Sequence, residues 1–370
     1  MVRLTRAQQQ ERTRTAVLAA ARAEFAEHGY VEAKVDQIAE RAELTRGAVY
    51  SNFPSKRALY LAVLVDMVEH SATDEVPPSP PRSTAEALGS FARAWLERLP
   101  LADDTPAFGQ MQLRSLARVL DDEPARGALA QVTRLEALLL ALALESCAPT
   151  DAGQVRQVRR AELVLRLLNG SGPFADTALG FGDPFDVAHA CAHLGGLGLA
   201  DTWDPPHLPY VAPARACQDL WTPPEGLPDL ITERRVGFDE DGVIAVLGIN
   251  RLGAAEETIR AARPGDRVTV AVVTSDPAEI GRLVRLRIRD FTRCLRRVFT
   301  PDAWPRLHLV VDDRGLLASA TGVPNADDST EHAVRIHKGE LVARADGRGA
   351  AYAAATAEVS NTTRSKRAAT

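Results

Sequence analysis

The 370-residue chain is short of thiols. Its four cysteines, Cys147, Cys191, Cys217 and Cys294, lie far apart with no CxxC spacing, which leaves no zinc ribbon, no dithiol exchange pair and no disulfide scaffold, and suits a reducing cytoplasm. Long apolar runs are missing too: no stretch reaches the ~18 consecutive apolar residues of a membrane span. The N-terminus, MVRLTRAQQQERTRT, is charged where a secretion signal needs an apolar run. Glycine-rich nucleotide loops are absent, since GINRLGA (248–254) fits neither GxGxxG nor a Walker-type GK[ST]. A large net charge is lacking as well; at −5 the whole protein is no nucleic-acid cloak. What the chain does have is 45% hydrophobic and 25% charged residues. That is the composition of a globular protein whose length implies two to three domains.

The modest net charge hides an asymmetry. Residues 1–57 carry 10 Lys and Arg against 7 Asp and Glu, residues 58–202 carry 11 against 19, and residues 203–370 carry 23 of each. A basic start followed by an acidic block points to an N-terminal region that meets an anion.

Periodicity and caps then place the elements. Thr5-Arg6-Ala7-Gln8 has the capping-box form and opens a helix with Leu18, Ala21 and Phe25 on one face, closed by Gly29. VDQIAERA (35–42) is a short amphipathic helix. Thr45 caps a second short helix through Ser51, and Ser55 caps a longer one. Two short helices joined by a tight turn form a helix-turn-helix, whose second member is narrow enough to put its first residues on base edges in the DNA major groove. Arg46, Gly47 and Ala48 stand at that leading edge, where Arg forks onto guanine and small side chains permit close approach. Tyr50, Asn52 and Lys56 suit phosphates, and Arg3, Arg6, Arg12 and Arg14 extend the basic footprint. The plainer alternative is a three-helix bundle used for protein contacts.

The stretch FAEHGYVEAKVDQIAERAELTRGAVYSNFPSKRALYLAVL resembles the helix-turn-helix of the tetracycline-repressor (TetR) family of bacterial regulators, over roughly residues 10–70. The resemblance implies phosphate contacts at Tyr50 and Lys56 and groove contacts at Thr45, Arg46 and Ala48. Two positions depart from the family pattern. Lys34 replaces a threonine that caps and contacts phosphate, and Glu43 replaces a turn glycine, where a left-handed backbone costs a non-glycine residue about 1 kcal/mol.

From 84 to 202 the pattern predicts helices at 85–99, 106–120, 123–147, 154–169 and 184–200. The resemblance implies an all-helical effector-binding and dimerisation domain, with the last two long helices pairing two subunits. It further implies that a small-molecule effector releases a pseudo-palindromic operator. On this plan the head and sensor are complete by about residue 202. His189 and His193, at i and i+4 around Cys191, share a helical face; packing is the bland reading, a metal the sharper one, and no metal is expected.

Seven prolines between Pro205 and Pro228 mark residues 203–241 as a linker or wrapping arm. Beyond it the period changes. Strands at 242–250, 267–276 and 307–312 alternate with helices at 254–262 and 277–299, then comes a short helix, a hairpin turning at Lys338-Gly339 and a last helix, with 361–370 as a frayed tail. This order, with LHLVVDDRGLLASATGV and AVRIHKGELVARADG, resembles the thioredoxin-like redoxins, including peroxiredoxins, over 240–360. No cysteine stands after the first strand, near INRLGAAEE, so the resemblance implies a degenerate binding domain and not a redox enzyme. In the long helix, Arg282, Arg285, Arg289, Arg293 and Arg296 recur at steps of 3, 4, 4 and 3 and read as a solvated face; a docking face for an anion, an acidic partner or the acidic middle domain is the sharper option.

The expectation is an all-α N-terminal two-thirds followed by an α/β C-terminal domain, divided as 1–57 (DNA-binding), 58–202 (sensor), 203–241 (linker), 242–360 (thioredoxin-like) and 361–370 (tail). Its function is a cytoplasmic, homodimeric, non-enzymatic regulator of double-stranded DNA, a repressor without cofactor, reading DNA through Lys34, Thr45, Arg46, Gly47, Ala48, Tyr50, Asn52 and Lys56. The rivals are a redox-responsive regulator or thiol enzyme carrying a DNA-binding head, and a C-terminal docking module for another protein.

Overall fold

The computed structural model describes residues 5–70, 79–97, 119, 122–147, 156–177, 182–199, 203–304 and 306–358. The helix expected over 106–120, apart from Val119, and the tail lie outside them. The described chain divides into two compact units.

The first unit is helical. Helices α1 (Arg6–Glu32), α2 (Val35–Arg41), α3 (Arg46–Asn52) and α4 (Lys56–His70) form its N-terminal part, followed by α5 (Thr84–Leu96), α6 (Glu123–Glu145), α7 (Val158–Thr177) and α8 (Pro184–Leu194). The caps act as the sequence predicts. Thr5 and Gln8 close the capping box, and Gly29 breaks the helical path of α1 at φ 68°, a conformation that favours glycine. By length and composition α6 is apolar enough to cross a membrane, yet 61% of its most apolar window is buried within the protein. It is a core helix.

This unit does not end at residue 202. It includes residues 274–305, which contain the long helix α10 (Arg282–Arg296). Phe291 of α10 packs edge-on against Phe91 and Trp95 of α5, at centroid distances of 5.6 and 6.0 Å. Just beyond α10, the Trp304 indole N–H donates to Leu139 O of α6 (2.9 Å). The long helix assigned to the C-terminal domain is thus part of the helical unit's core. The arginine face is corrected with it: all five arginines are half-buried, not solvated. Arg289 pairs with Glu69 of α4, and Arg287, which lies outside the expected stripe, is 2.9 Å from the fully buried Glu136 of α6. An amphipathic stripe states that a face must be buried; it does not name the neighbour.

The second unit holds the sheet. Strands β1 (Arg215–Leu220), β4 (Gly242–Gly248), β5 (Arg267–Val273), β6 (Leu307–Val311), β7 (Glu331–His337) and β8 (Glu340–Asp346) run in the order β1-β8-β7-β4-β5-β6, while β2 (Leu227–Pro228) and β3 (Arg235–Val236) form a separate pair. β4, β5 and β6 are parallel; β7 is antiparallel to β4 and to β8. Its α-helices among the described residues are α9 (Ala254–Ala261), α11 (Leu316–Thr321) and α12 (Ala350–Thr356). The β7–β8 hairpin turns where the sequence indicates, with Lys338 and Gly339 both at positive φ (52° and 76°). That pair of signs is the geometry matching strand twist.

The linker reading is corrected here. Residues 215–220 are an edge strand on β8, pairing Arg215 with Arg344 and Leu220 with Glu340. Proline density concealed it. The prolines bracket this six-residue run and none falls within it, so the ladder loses no donor. Trp221 and Phe238, also from the supposed linker, join Ile244, Val246, Val310 and Leu317 in one apolar core.

Candidate nucleic-acid interface

Packing of the head rests on a small apolar centre. Phe25, Tyr30 and Tyr60 meet ring to ring, with Phe25 edge-on to Tyr60 at 4.9 Å, while Ile38, Val49 and Phe53 are buried beside the turn. One buried charge was not legible as such. Glu24, 2% exposed, accepts from the Lys34 amide (3.2 Å) and faces Arg41 Nε at 3.3 Å, which ties the end of α1 to both ends of α2. Its signal in the sequence is position: Val17, Ala20, Ala21 and Glu24 follow helical core spacing, so an acid there needs a partner.

The two departures behave as the resemblance implies. Lys34 stands at the N-cap of α2 with no side-chain cap bond, and its exposed ammonium is left to solvent. Glu43 sits in the turn at φ 55°. Glu43→Gly is therefore expected to raise the stability of the head by about 0.5–1 kcal/mol, the strain relieved less the extra chain entropy of glycine. Thermal denaturation reads the effect; an unchanged or lower midpoint contradicts it.

The turn presents α3 end-on. Thr45 is exposed, but its hydroxyl accepts from the Ala48 amide (3.2 Å), so it caps the helix before it can touch anything else. Arg46 is exposed, lies 3.2 Å from Asp36 and stacks 5.5 Å above the Tyr50 ring. The hydrogen bond with Tyr50 keeps the Arg46 guanidinium firmly charged. Gly47 opens onto free space, with only the Thr45 hydroxyl within 4 Å of where a Cβ would stand. Tyr50 is exposed and Ala48 half-buried. Lys34, Thr45, Arg46, Gly47 and Tyr50 are therefore surface groups.

Two of the named residues are engaged elsewhere. Asn52 donates through Nδ2 to Ala48 O (2.9 Å), and Lys56 donates to Val31 O (3.0 Å) with Nζ 5.1 Å from the Tyr30 ring. Burial lowers the Lys56 ammonium below the usual lysine range. Of the basic arm, Arg6 and Arg12 are exposed, Arg14 lies over the Phe53 ring at 5.0 Å, and Arg3 is outside the described residues. Asp36, which holds Arg46, was not singled out from the sequence.

Farther along, His189 and His193 are exposed on α8 while Cys191 is buried between them. Burial pushes the Cys191 thiol up to about 11 and raises those of Cys147 and Cys217. Such thiols form little thiolate near neutral pH. Among the described residues Glu24, Glu27 and His28 group as three potential ligands, but Glu24 and Glu27 both face Arg41, which supplies the positive charge.

Residues 17–63 match the model of the bacterial regulatory proteins, tetR family. No curated protein matches the chain significantly. Among solved structures, NalD, the secondary repressor of the MexAB-OprM multidrug efflux pump in Pseudomonas aeruginosa, is 21% identical, with a TM-score of 0.32 over 52% of this chain and 99% of that one. A TetR transcriptional regulator from Rhodococcus sp. RHA1 is 20% identical, with a TM-score of 0.30 over 50% and 95% of the two chains. A putative transcriptional regulator from Streptomyces coelicolor gives 22% and 0.28 over 49% and 97%.

Proposed function

We propose that this chain, whose N-terminal segment is a tetR-family helix-turn-helix domain, is a sequence-specific DNA-binding transcriptional regulator, acting in the cytoplasm as a homodimeric repressor released by a small-molecule effector. One observation carries the reading: the matched segment presents Arg46, Gly47 and Tyr50 on the open edge of α3, with Lys34 and Thr45 exposed beside them. Arg46 reads a base edge, Tyr50 and Lys34 take phosphates, and Asn52 and Lys56 act through the shape they impose on the helix ends. Pairing of two copies is supported by apolar side chains left exposed on the last helices of the sensor: Leu167 on α7, Phe185 on α8 and Leu197 just after it. Two heads about one DNA turn apart read a pseudo-palindrome.

For the second unit, the sheet supports a thioredoxin-like reading. Three parallel strands flanked by an antiparallel hairpin and a closing helix keep the order of elements that the sequence suggests, and Ile249–Gly253 after β4 contains no cysteine. The long helix departs from that plan by lying in the helical unit. The raised thiols weigh against the redox-responsive alternative.

A gel shift with DNA from upstream of the gene, at fixed salt, tests the main reading. Arg46→Ala combined with Tyr50→Ala is expected to weaken binding by about 100-fold, since one base-edge fork and one phosphate contact disappear. Equal affinity of the double variant and the wild type refutes it.

A further inference from the structure

Residues 274–305 do more than fill the sensor's core. They also grip the helix that leaves the DNA-reading head. The grip begins at a preformed turn: Asp276 accepts from the Glu279 amide (3.0 Å), and its backbone carbonyl accepts from Gly281 N (3.0 Å), which holds the Glu279 carboxylate outward. That carboxylate accepts from the Ser55 hydroxyl and pairs with the Arg57 guanidinium; Arg57 also pairs with Asp122. Ser55 is the residue that caps α4, its Oγ accepting from Ala58 N (2.9 Å). Three residues on, Arg282 donates to Ala58 O (2.9 Å) and stacks over the Phe53 ring at 5.3 Å. Phe53 is fully buried and terminates α3. At the far end of α4, Arg289 pairs with Glu69. One face of a single segment therefore holds α4 at its first turn and its last, and touches the aromatic ring on which the recognition helix ends.

We propose that Glu279 and Arg282 are positioning residues for DNA recognition: they set the tilt of α3 and α4 against the sensor, and with it the distance between the two recognition helices of a dimer. This rests on the DNA-binding, dimeric reading above. Position matters here because base contacts fail with an ångström-scale displacement of a reading helix, whereas fold stability tolerates it. The device belongs to this chain's own architecture, for the gripping segment leaves the sheet after β5 and returns to it at β6. Two arginine–carboxylate pairs and one arginine–aromatic contact act on the same helix turn, so their loss is felt together and not additively.

The test uses the full-length chain and DNA duplexes recovered by the wild type from a random 40-base-pair pool. Affinities of wild type, Glu279→Gln, Arg282→Ala and Arg282→Lys are compared on the recovered site and on versions with one or two base pairs added or removed between half-sites. Amide exchange of residues 46–63 is followed in parallel. Glu279→Gln and Arg282→Ala are expected to change the ratio of affinities between spacings by about tenfold, within the usual range of coupling between sites, and to speed exchange in α3 and α4, with Arg282→Lys restoring part of both. Identical spacing profiles and exchange rates overturn the clamp while leaving the DNA reading intact. So does a loss of affinity that is equal at all spacings and follows the melting temperature, because that is a purely structural role. If the wild type recovers no sequence, the DNA-binding reading fails and the clamp's role fails with it.

Discussion

A chain ended after Trp203 is expected to lose cooperative folding of its helical unit. The truncation removes α10 and Trp304, and with them Leu283, Leu286, Ile288, Phe291, Leu295 and Phe299, all of them buried. Each fully buried side chain of this kind contributes about 1.5–3 kcal/mol, so a handful together exceeds the 5–15 kcal/mol that a whole domain has to spare. The apolar edge so exposed, including Phe91 and Trp95, promotes association. Size-exclusion chromatography and thermal melting by circular dichroism are the measurements; a monodisperse fragment with a sharp transition contradicts the assignment of residues 274–305 to the helical unit. Phe291→Ala in the full chain isolates one contribution, with an expected cost of about 3–5 kcal/mol. Its effect should fall on α5 and its neighbours, which locates the damage in the helical unit.

Asp266→Ala is expected to be nearly as damaging in the other unit. Arg335, 2% exposed, extends from β7 and donates both Nη2 contacts to Asp266 (2.8 and 2.7 Å) while its Nη1 donates to Ala355 O (2.8 Å) at the end of α12. Asp266 also accepts from the Arg263 amide (2.9 Å) in the turn that leads into β5. Removing the carboxylate leaves a guanidinium buried without its counter-charge, which costs about 3–5 kcal/mol. The double change Asp266→Leu with Arg335→Met restores much of the loss, because an apolar pair in the same space carries no desolvation penalty. Hydrogen exchange of β4, β5 and β7 in the full chain reads both effects. Protection equal to the wild type in Asp266→Ala would show that the ion pair carries no net stability.

Much of the head was legible because its signals are local. Thr5 with Gln8, Thr45 and Ser55 cap helices by bonds that span three residues, and Gly29 and Glu43 take the positive φ that their places in the motif require. What the motif concealed was the second use of the same groups. Thr45, Asn52 and Lys56 have the chemistry of DNA contacts, yet each spends a polar atom inside the head. Glu24 and Asp36 escaped notice because their partners, Arg41 and Arg46, are brought to them only when α2 and α3 fold back.

The sequence by itself determined the class of the described elements outside residues 203–241, the position of α3, the turn at Lys338-Gly339 and the alternation of strand and helix after residue 242. All of these depend on spacing along the chain, which no later packing can alter. Only the tertiary structure decided which surfaces those elements cover. The prolines of 203–241 bracket an edge strand, and the helix expected to lie on the sheet lies instead among α4, α5 and α6. The physical reason is that burial is non-directional. An apolar stripe and five arginines specify the character of a neighbour, acidic and hollow enough to receive a phenylalanine, but its identity emerges only when residues 196 positions apart, Trp95 and Phe291, meet.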